Sequence, residues 1–331
     1  MTRILVYGAG AIGGCLGAML AQAGNDVTLV ARGAQRAALE TQGSIVDWGD
    51  GRRVTARPAV CGPGGAAGPF DYVLVTLKTT HLEDSAPELA RLAEHSPLVL
   101  LQNGIPWWYF QHSGTRWDGH ALRSVDATGT LARLLDVRQL IPAVIYQPVT
   151  QLAPGHCHAG VLPSNRILIG EIYDAERERG ALLVDVLRHA GLTSETTRDI
   201  RTAIWRKLQL NMVWNPLCAL THAAPMHFFD FPGGGDLARA LMEEGQRVAA
   251  AVGVSLPVDV EGERQRVAGN YRFVPSMAQD ARAGRPLEWA AILGAVLEIA
   301  ELTGTPMPTF RTVALCAGVL DARLRWREPA A

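Results

Sequence analysis

An α/β domain built on a parallel sheet, followed by an all-α domain, is the fold class this sequence predicts. Three observations predict it. Short β-branched runs alternate with helical patterns through the first half. A glycine-rich turn separates the first such run from the first helical pattern. From about Arg198 onward helical periods dominate and strand-like runs nearly vanish. At 331 residues the chain is long enough for two cores. The boundary is expected near 195–198, giving domains over 1–197 and 198–331.

Each element follows from its pattern. Arg3–Tyr7 reads as a buried strand, Ala11–Ala23 as a helix and Asp26–Arg32 as a second strand. Phe70–Lys78 and Leu98–Gln102 read as later strands, each ending on a polar residue. The run CGPGGAAGP at 61–69 is a loop by its glycine and proline content. Extended patterns return between about 120 and 172, in VIYQPVTQL and RILIGEIY, and suit the edge of the sheet. Ala181–Ala190 is a helix stopped by Gly191. Later helices are expected at Asp199–Trp214, Asp236–Val252, Val258–Ala268, Ser276–Ala283, Leu287–Thr303 and Arg311–Arg325. Gly233–Gly235 is expected to form a loop between two of them.

Composition narrows the function classes. Hydrophobic residues make up 48% and charged residues 19%, a soluble globular profile and not a disordered one. The net charge of −1, with no block of like charge, argues against a large nucleic-acid surface. Cysteines at 15, 61, 157, 218 and 316 are odd in number and lack C-x-x-C spacing. That argues against a disulfide framework and fits a reducing cytoplasm. The apolar stretch 4–24 carries six glycines and no basic leader, so it reads as strand, turn and helix. Neither a membrane nor a nucleic-acid partner is expected.

The turn has the form Gly8-Ala9-Gly10-Ala11-Ile12-Gly13. It follows a strand and opens a helix, the context in which G-x-G-x-x-G binds a dinucleotide in a Rossmann domain. Gly8 permits the tight turn, Gly10 lets the backbone approach a pyrophosphate, and Gly13 lets helix and strand pack closely. The helix N-terminus then presents N–H groups to the anion. The alternative is a glycine-rich turn with no ligand. The next strand ends at Arg32, where an NAD site usually places an acid, so a 2′-phosphate and NADP(H) are expected. The competing reading is a surface arginine at a strand end. Arg36, one turn on, is placed to assist.

Ligands in an open parallel sheet lie beyond the carboxyl ends of its strands. Lys78 and Asn103 end two of the strands and are expected to point into the same crevice as Gly10. Each also has an ordinary explanation, a solvated lysine and an Asn-Gly turn. Trp107, Trp108 and Tyr109 either wall a pocket or pack an interface, with packing favoured.

In DIRTAIWRKLQLNMVWNPLCALT, Lys207, Asn211 and Asn215 are spaced i, i+4, i+8, beside Ile200 and Ile204. On a helix they fall within about 80° of one another. A lysine in an apolar stripe is either buried with a lowered pKa, which suits a proton donor, or snorkels to solvent on its stem. Arg201, Arg206 and Gln209 are left for the wetter sides. Ser276 opens S-M-A-Q, a capping-box pattern compatible with a ligand contact. Glu288, at a helix start after Pro286, reads as a dipole-stabilising acid or as a functional one. His156 and His158 share a strand face without a third ligand, so no metal site is expected.

Taken together, GAGAIG, VLVTLK, LQNG, IRTAIWRKLQLNMVWNPLCALT and SMAQDARAGRPLE resemble the 2-dehydropantoate 2-reductase (ketopantoate reductase) family, from residue 3 to about 320. The resemblance implies a Rossmann domain joined to an all-helical domain like the C-terminal domain of 6-phosphogluconate dehydrogenase, with a site in the cleft between them. It implies NADPH as hydride donor and a 2-keto acid as substrate. By position it implies Lys207 as general acid and Glu288 as the partner of the substrate hydroxyl. It also implies Asn103, Asn211, Asn215 and Ser276 as substrate contacts, Lys78 and Asn103 as cofactor contacts, and Arg32 at the 2′-phosphate. A homodimer through the helical domain is compatible with it.

Three departures keep the substrate open. Glu288-Trp289-Ala290 lacks the aspartate of the family's E-x-D, Ala224–Pro225 stands where some members have asparagine, and IPWWYF follows the Asn-Gly. Reduction of ketopantoate leads. A paralogue acting on another 2-keto acid is second, and a non-catalytic NADP sensor is third.

Overall fold

The computed structural model describes residues 1–173 and 177–326, so the last residues of the expected second domain, 327–331, lie outside the described residues. The chain divides into two compact units. The first comprises 1–102 with 129–200, and the second Asn103–Thr128 with the chain from Arg201 onward. The segment 103–128, assigned by sequence to the first domain, thus groups with the helices.

The first unit opens with β1 (Arg3–Tyr7), α1 (Ala11–Gln22) and β2 (Asp26–Val30). α2 (Gly33–Gln42) leads into β3 (Ser44–Trp48), β4 (Arg53–Ala56) and β5 (Ala59–Cys61). β6 (Tyr72–Val75), α3 (Leu82–Ala93) and β7 (Leu98–Leu100) follow, then α4 (Thr130–Leu134) and β8 (Leu140–Ile145). β9 (Val149–Ala153), β10 (His156–Ala159), β11 (Ile167–Ile169), α5 (Arg177–His189) and β12 (Ser194–Thr196) complete it.

The main sheet has the order β12-β11-β8-β7-β6-β1-β2-β5. Its pairs are parallel except β8 with β11. β1 lies between β2 and β6, so the winding reverses there and opens a crevice at the carboxyl end of β1. The extended region after residue 120, expected at the edge of the sheet, reaches an edge only in β9, at the end of a second sheet. β8 is interior, which its continuous burial permits, while β9 and β10 join β3 and β4 in a second sheet of order β4-β3-β10-β9. The second sheet explains the composition of α1. Every residue from Gly13 to Leu20 is buried. Gly17 makes room for Leu29 on β2, and Ser44 Oγ on β3 donates to the Gly14 carbonyl at 2.9 Å. A helix covered on two sides must be apolar all round.

The helices of the second unit begin with α6 (Ile200–Thr221), which runs past the expected end at Trp214 and through Pro216. Proline removes one helical hydrogen bond, but residues 212–219 are all buried, and that packing holds the helix together. α7 (Pro225–Asp230) was not expected. α8 (Gly234–Ala251) starts inside the triple glycine, with Gly233 at φ +82°, so the expected loop is mostly helix. A side chain at Gly234 would strike the Phe228 carbonyl of α7. α9 (Val260–Val267) and α10 (Ser276–Arg282) precede a π turn at Ala290–Gly294 that continues as α11 (Ala295–Thr303). α12 (Pro308–Arg325) closes the described chain. Buried Glu244 of α8 accepts the Thr309 and Phe310 N–H groups at 3.1 and 2.7 Å, satisfying the first turn of α12. Among the described residues, no helix is long and apolar enough to cross a membrane.

Candidate active site

The Gly8–Gly13 turn sits at the carboxyl end of β1. Gly8 takes φ +111°, and a Cβ there would come 2.9 Å from the Leu77 nitrogen. A Cβ at Gly13 would collide with the Gly8 carbonyl, which also accepts from Thr76 Oγ1 at 2.7 Å. Those two glycines are required by the protein itself. Gly10 is different, because a Cβ there would meet no atom within 4 Å. Nothing in the protein demands glycine at that point, whereas a pyrophosphate approaching the backbone does. Ala11, Ile12 and Gly13 form the first turn of α1, whose N–H groups have no carbonyl one turn back. The site therefore fits a dinucleotide. Gln35 of α2 fastens the turn further, donating to the Ala9 carbonyl at 2.5 Å.

The strands end earlier than their polar residues suggest. β2 stops at Val30, β6 at Val75 and β7 at Leu100, where the paired registers run out. Arg32 is exposed at the N-cap position of α2, and among the described residues it forms no salt bridge. Arg36 does not stand free beside it, since it pairs with Glu40 at 2.7 Å. Lys78 is half-buried in the loop after β6, where its carbonyl accepts the His81 N–H at 3.0 Å.

In the second unit, three of the expected residues come together. Lys207 Nζ donates to Asn103 Oδ1 at 2.7 Å, and Asn103 Nδ2 donates to Glu288 Oε2 at 3.3 Å. The amide is thus read in opposite senses by a cation and an anion, which settles its orientation. The Lys207 pKa is pushed down to about 8, first by burial, with the Glu288 carboxylate opposing the fall. Glu288 is only 6% exposed. It stands at the helix start, as expected, its carbonyl accepting the Ile292 N–H at 3.2 Å just ahead of the π turn.

The other expected contacts differ among themselves. Asn211 is half-buried on α6. Asn215 is 2% exposed; its Oδ1 accepts from the Met277 N–H at 3.5 Å, while its Nδ2 is buried without a hydrogen-bond partner. Ser276 is exposed and does not cap α10. Pro275 takes the N-cap position and makes no side-chain cap, so the capping-box expectation is corrected. The two sides left for water on α6 are also partly corrected. Gln209 is buried and donates to the Pro257 carbonyl at 2.9 Å, and Arg201 donates to the Tyr109 and Gln111 carbonyls at 2.9 and 2.6 Å.

Several residues that place Asn103 escaped the sequence reading. Gly104, at φ +83°, packs so tightly on Ala291 that any Cβ would strike the Ala291 carbonyl. That carbonyl accepts the Ile105 N–H at 2.8 Å. Trp107 and Trp108 are 4% and 1% exposed, and Tyr109 Oη accepts from Trp205 Nε1 at 2.7 Å. The aromatic run is therefore buried. One signal in the sequence went unused. Lysine occurs at two positions only, Lys78 and Lys207, in a chain that otherwise carries arginine. Arginine cannot lose its proton near neutral pH, so a retained lysine marks a place where that ability matters.

The family described as Ketopantoate reductase PanE/ApbA matches residues 4–173, and its C-terminal counterpart matches residues 199–320.

The chain belongs to the ketopantoate reductase family.

A 2-dehydropantoate 2-reductase of Mesorhizobium japonicum is 35% identical over 94% of this chain and 95% of its own length. A Ralstonia solanacearum protein solved as a candidate ketopantoate reductase superposes with a TM-score of 0.89 at 31% identity, covering 99% of this chain and 100% of that one. A D-mandelate dehydrogenase solved with NADH and anilino(oxo)acetate gives a TM-score of 0.83 over 98% and 99% of the two chains. At 19% identity that last likeness concerns the fold alone. Among the described residues no group of three or more His, Cys, Asp or Glu side chains is placed to hold a metal ion, and His156 instead contacts Asp47 at 2.8 Å.

Proposed function

We propose that this ketopantoate reductase family member reduces 2-dehydropantoate to (R)-pantoate with NADPH, Lys207 giving the proton. The observation that carries the reading is the contact chain Lys207–Asn103–Glu288 on the helical unit. The relatives' names support the substrate. The nicotinamide supplies a hydride when bound, and the chain's own residues do the rest. A carbonyl oxygen gaining negative charge needs a nearby acid, and a lysine with a pKa of about 8 is charged at neutral pH yet yields its proton more readily than an ordinary one. Asn103 holds the ammonium by accepting from it. Glu288 accepts from the Asn103 amide, and its carboxylate is assigned to a substrate hydroxyl. Asn211, Asn215 and Ser276 are assigned to the substrate carboxylate and hydroxyl.

The Gly8–Gly13 turn holds the cofactor pyrophosphate, and Arg32, exposed and without a salt bridge among the described residues, receives the 2′-phosphate. Lys78 joins them as a phosphate contact. In this reading residues 1–102 with 129–200 serve the cofactor, and Asn103–Thr128 with the helices from Arg201 onward serve substrate and self-association. Leu315 and Val319, 66% and 64% exposed on α12, suit a homodimer contact. A cytoplasmic location accords with five free cysteines.

A second reading, reduction of a different 2-keto acid, is favoured by Ala290 in place of the family's aspartate. An NADPH-oxidation screen over a panel of 2-keto acids decides between them. Ketopantoate should give the highest kcat/KM. A different acid ahead by about tenfold or more would establish the second reading. No turnover with any member would overturn both.

A further inference from the structure

α12 grips the chain on both sides of Glu288. The Leu287 N–H donates to Asp321 Oδ1 at 2.7 Å, and Arg325 Nη2 donates to the Leu287 carbonyl at 3.3 Å. Asp321 and Arg325 are themselves paired at 2.8 Å, and the aspartate side chain is only 14% exposed. On the other side, Trp289 Nε1 donates to the Ala314 carbonyl of α12 at 2.8 Å. The indole lies in a slot made by two glycines. A Cβ at Gly318 would come 3.3 Å from its Nε1, and one at Gly294 would come 2.8 Å from its Cζ3. Residues 285–288 lie outside any helix, and both the N–H and the carbonyl of Leu287 take their partners from α12. Pinning both neighbours leaves the side chain between them little freedom, the condition a precisely aimed carboxylate needs.

We propose that Asp321 and Trp289 are positioning residues, which act through the backbone on either side of Glu288 to hold its carboxylate on Asn103 and near Lys207. The proposal deepens the function proposed above, resting on it for the chemistry alone. The arrangement itself is testable without turnover.

Among the groups that face Lys207 are Asn103, from the segment after β7, and the Glu288 carboxylate, which raises its pKa. With two lysines in the chain, lysine isotopically labelled at Cε gives two NMR signals, and the one that Lys207→Met removes belongs to Lys207. Glu288→Gln sets the fall in the Lys207 midpoint caused by losing the carboxylate's charge. Asp321→Ala and Trp289→Phe should each produce about half of that fall or more, with NADPH affinity unchanged. Asp321→Asn keeps an acceptor for the Leu287 N–H and should stay nearer the wild type. Turnover of the best 2-keto acid should fall in the same order, by about tenfold for Asp321→Ala, in kcat and not in KM for NADPH. A lowered melting temperature alone would move none of these midpoints.

Coincident Lys207 midpoints in wild type, Asp321→Ala and Trp289→Phe overturn the proposal. So does an unchanged midpoint in Glu288→Gln, since the carboxylate is then not held within reach of the lysine. Should Asp321→Ala fail to fold, Trp289→Phe, which keeps one aromatic ring in the slot and loses the N–H with the second, decides alone. Inactivity of the wild type toward every 2-keto acid would remove the proposed function and leave the titration result standing.

Discussion

Replacing Lys207 by methionine should remove a specific part of the pH dependence of folding. Burial lowers the lysine pKa from 10.5 to about 8 in the folded protein, with Glu288 opposing. In the unfolded chain the same group titrates near its ordinary value. The folded pKa is therefore the lower of the two. Below about 8 both states are protonated, and the cost of burying the charge is fully present. Between about 8 and 10.5 the unfolded state binds more protons, so stability rises with pH. Above that window neither state is charged and the cost is gone. A shift of about 2.5 units, at about 1.4 kcal/mol each, corresponds to roughly 3 kcal/mol, most of it recovered between about pH 7 and pH 10. Urea denaturation of wild type and Lys207→Met at those two pH values measures it, because the other titrating groups cancel in the comparison. The wild type should gain about 2–3 kcal/mol relative to the variant on going to the higher pH. Equal gains in the two proteins would refute the assignment of a buried, destabilised ammonium.

Four further outcomes are expected. Lys207→Ala should cut 2-keto acid turnover by about 10²–10⁴-fold while a fluorescence titration shows NADPH binding intact, and wild-type kcat should fall above about pH 8 as the acid loses its proton. Gly10→Ala should keep the wild-type melting temperature and weaken dinucleotide binding, whereas Gly13→Ala should lower both, because only the second new methyl meets protein. Arg32→Asp should move the preference from NADPH toward NADH by about tenfold or more; a wild type that already prefers NADH in steady-state kinetics would end the case for Arg32. Tyr109→Phe leaves Trp205 Nε1 without its acceptor and should cost about 1–3 kcal/mol in denaturation, with KM for the 2-keto acid unchanged.

Much of the first unit was legible because its signals are local. The strand–turn–helix around Gly8 needs only a dozen consecutive residues to declare itself, and β1 and α1 fall where the pattern puts them. The second sheet was not legible. β3 and β4 are short, and β10, the strand that joins them to β9, lies about a hundred residues from β3, so pairing and not propensity creates the sheet. The triple glycine misled for a related reason. Gly234 is helical because it packs against the Phe228 carbonyl, and close packing uses glycine as readily as a loop does.

The candidate site divides in the same way. The periodicity of α6 placed Lys207 among apolar residues, and that local fact predicts a lowered pKa. What the lysine touches was beyond reach. Asn103 is 104 residues before it, and Glu288 is 185 residues after Asn103. Ser276 shows the limit of a short motif, since S-M-A-Q opens a helix without capping it.

By itself the sequence determined the elements whose stability is decided within a few turns or strands: the nucleotide-binding turn, the helical character of the second half and the placement of a titratable amine on an apolar face. Tertiary structure alone decided which carboxylate acts on that amine, which amide holds it, and that the Asn103 segment belongs with the helices. The physical reason is that hydrophobic periodicity records whether a residue is buried, while hydrogen bonds and charge pairs depend on which distant residue is buried beside it.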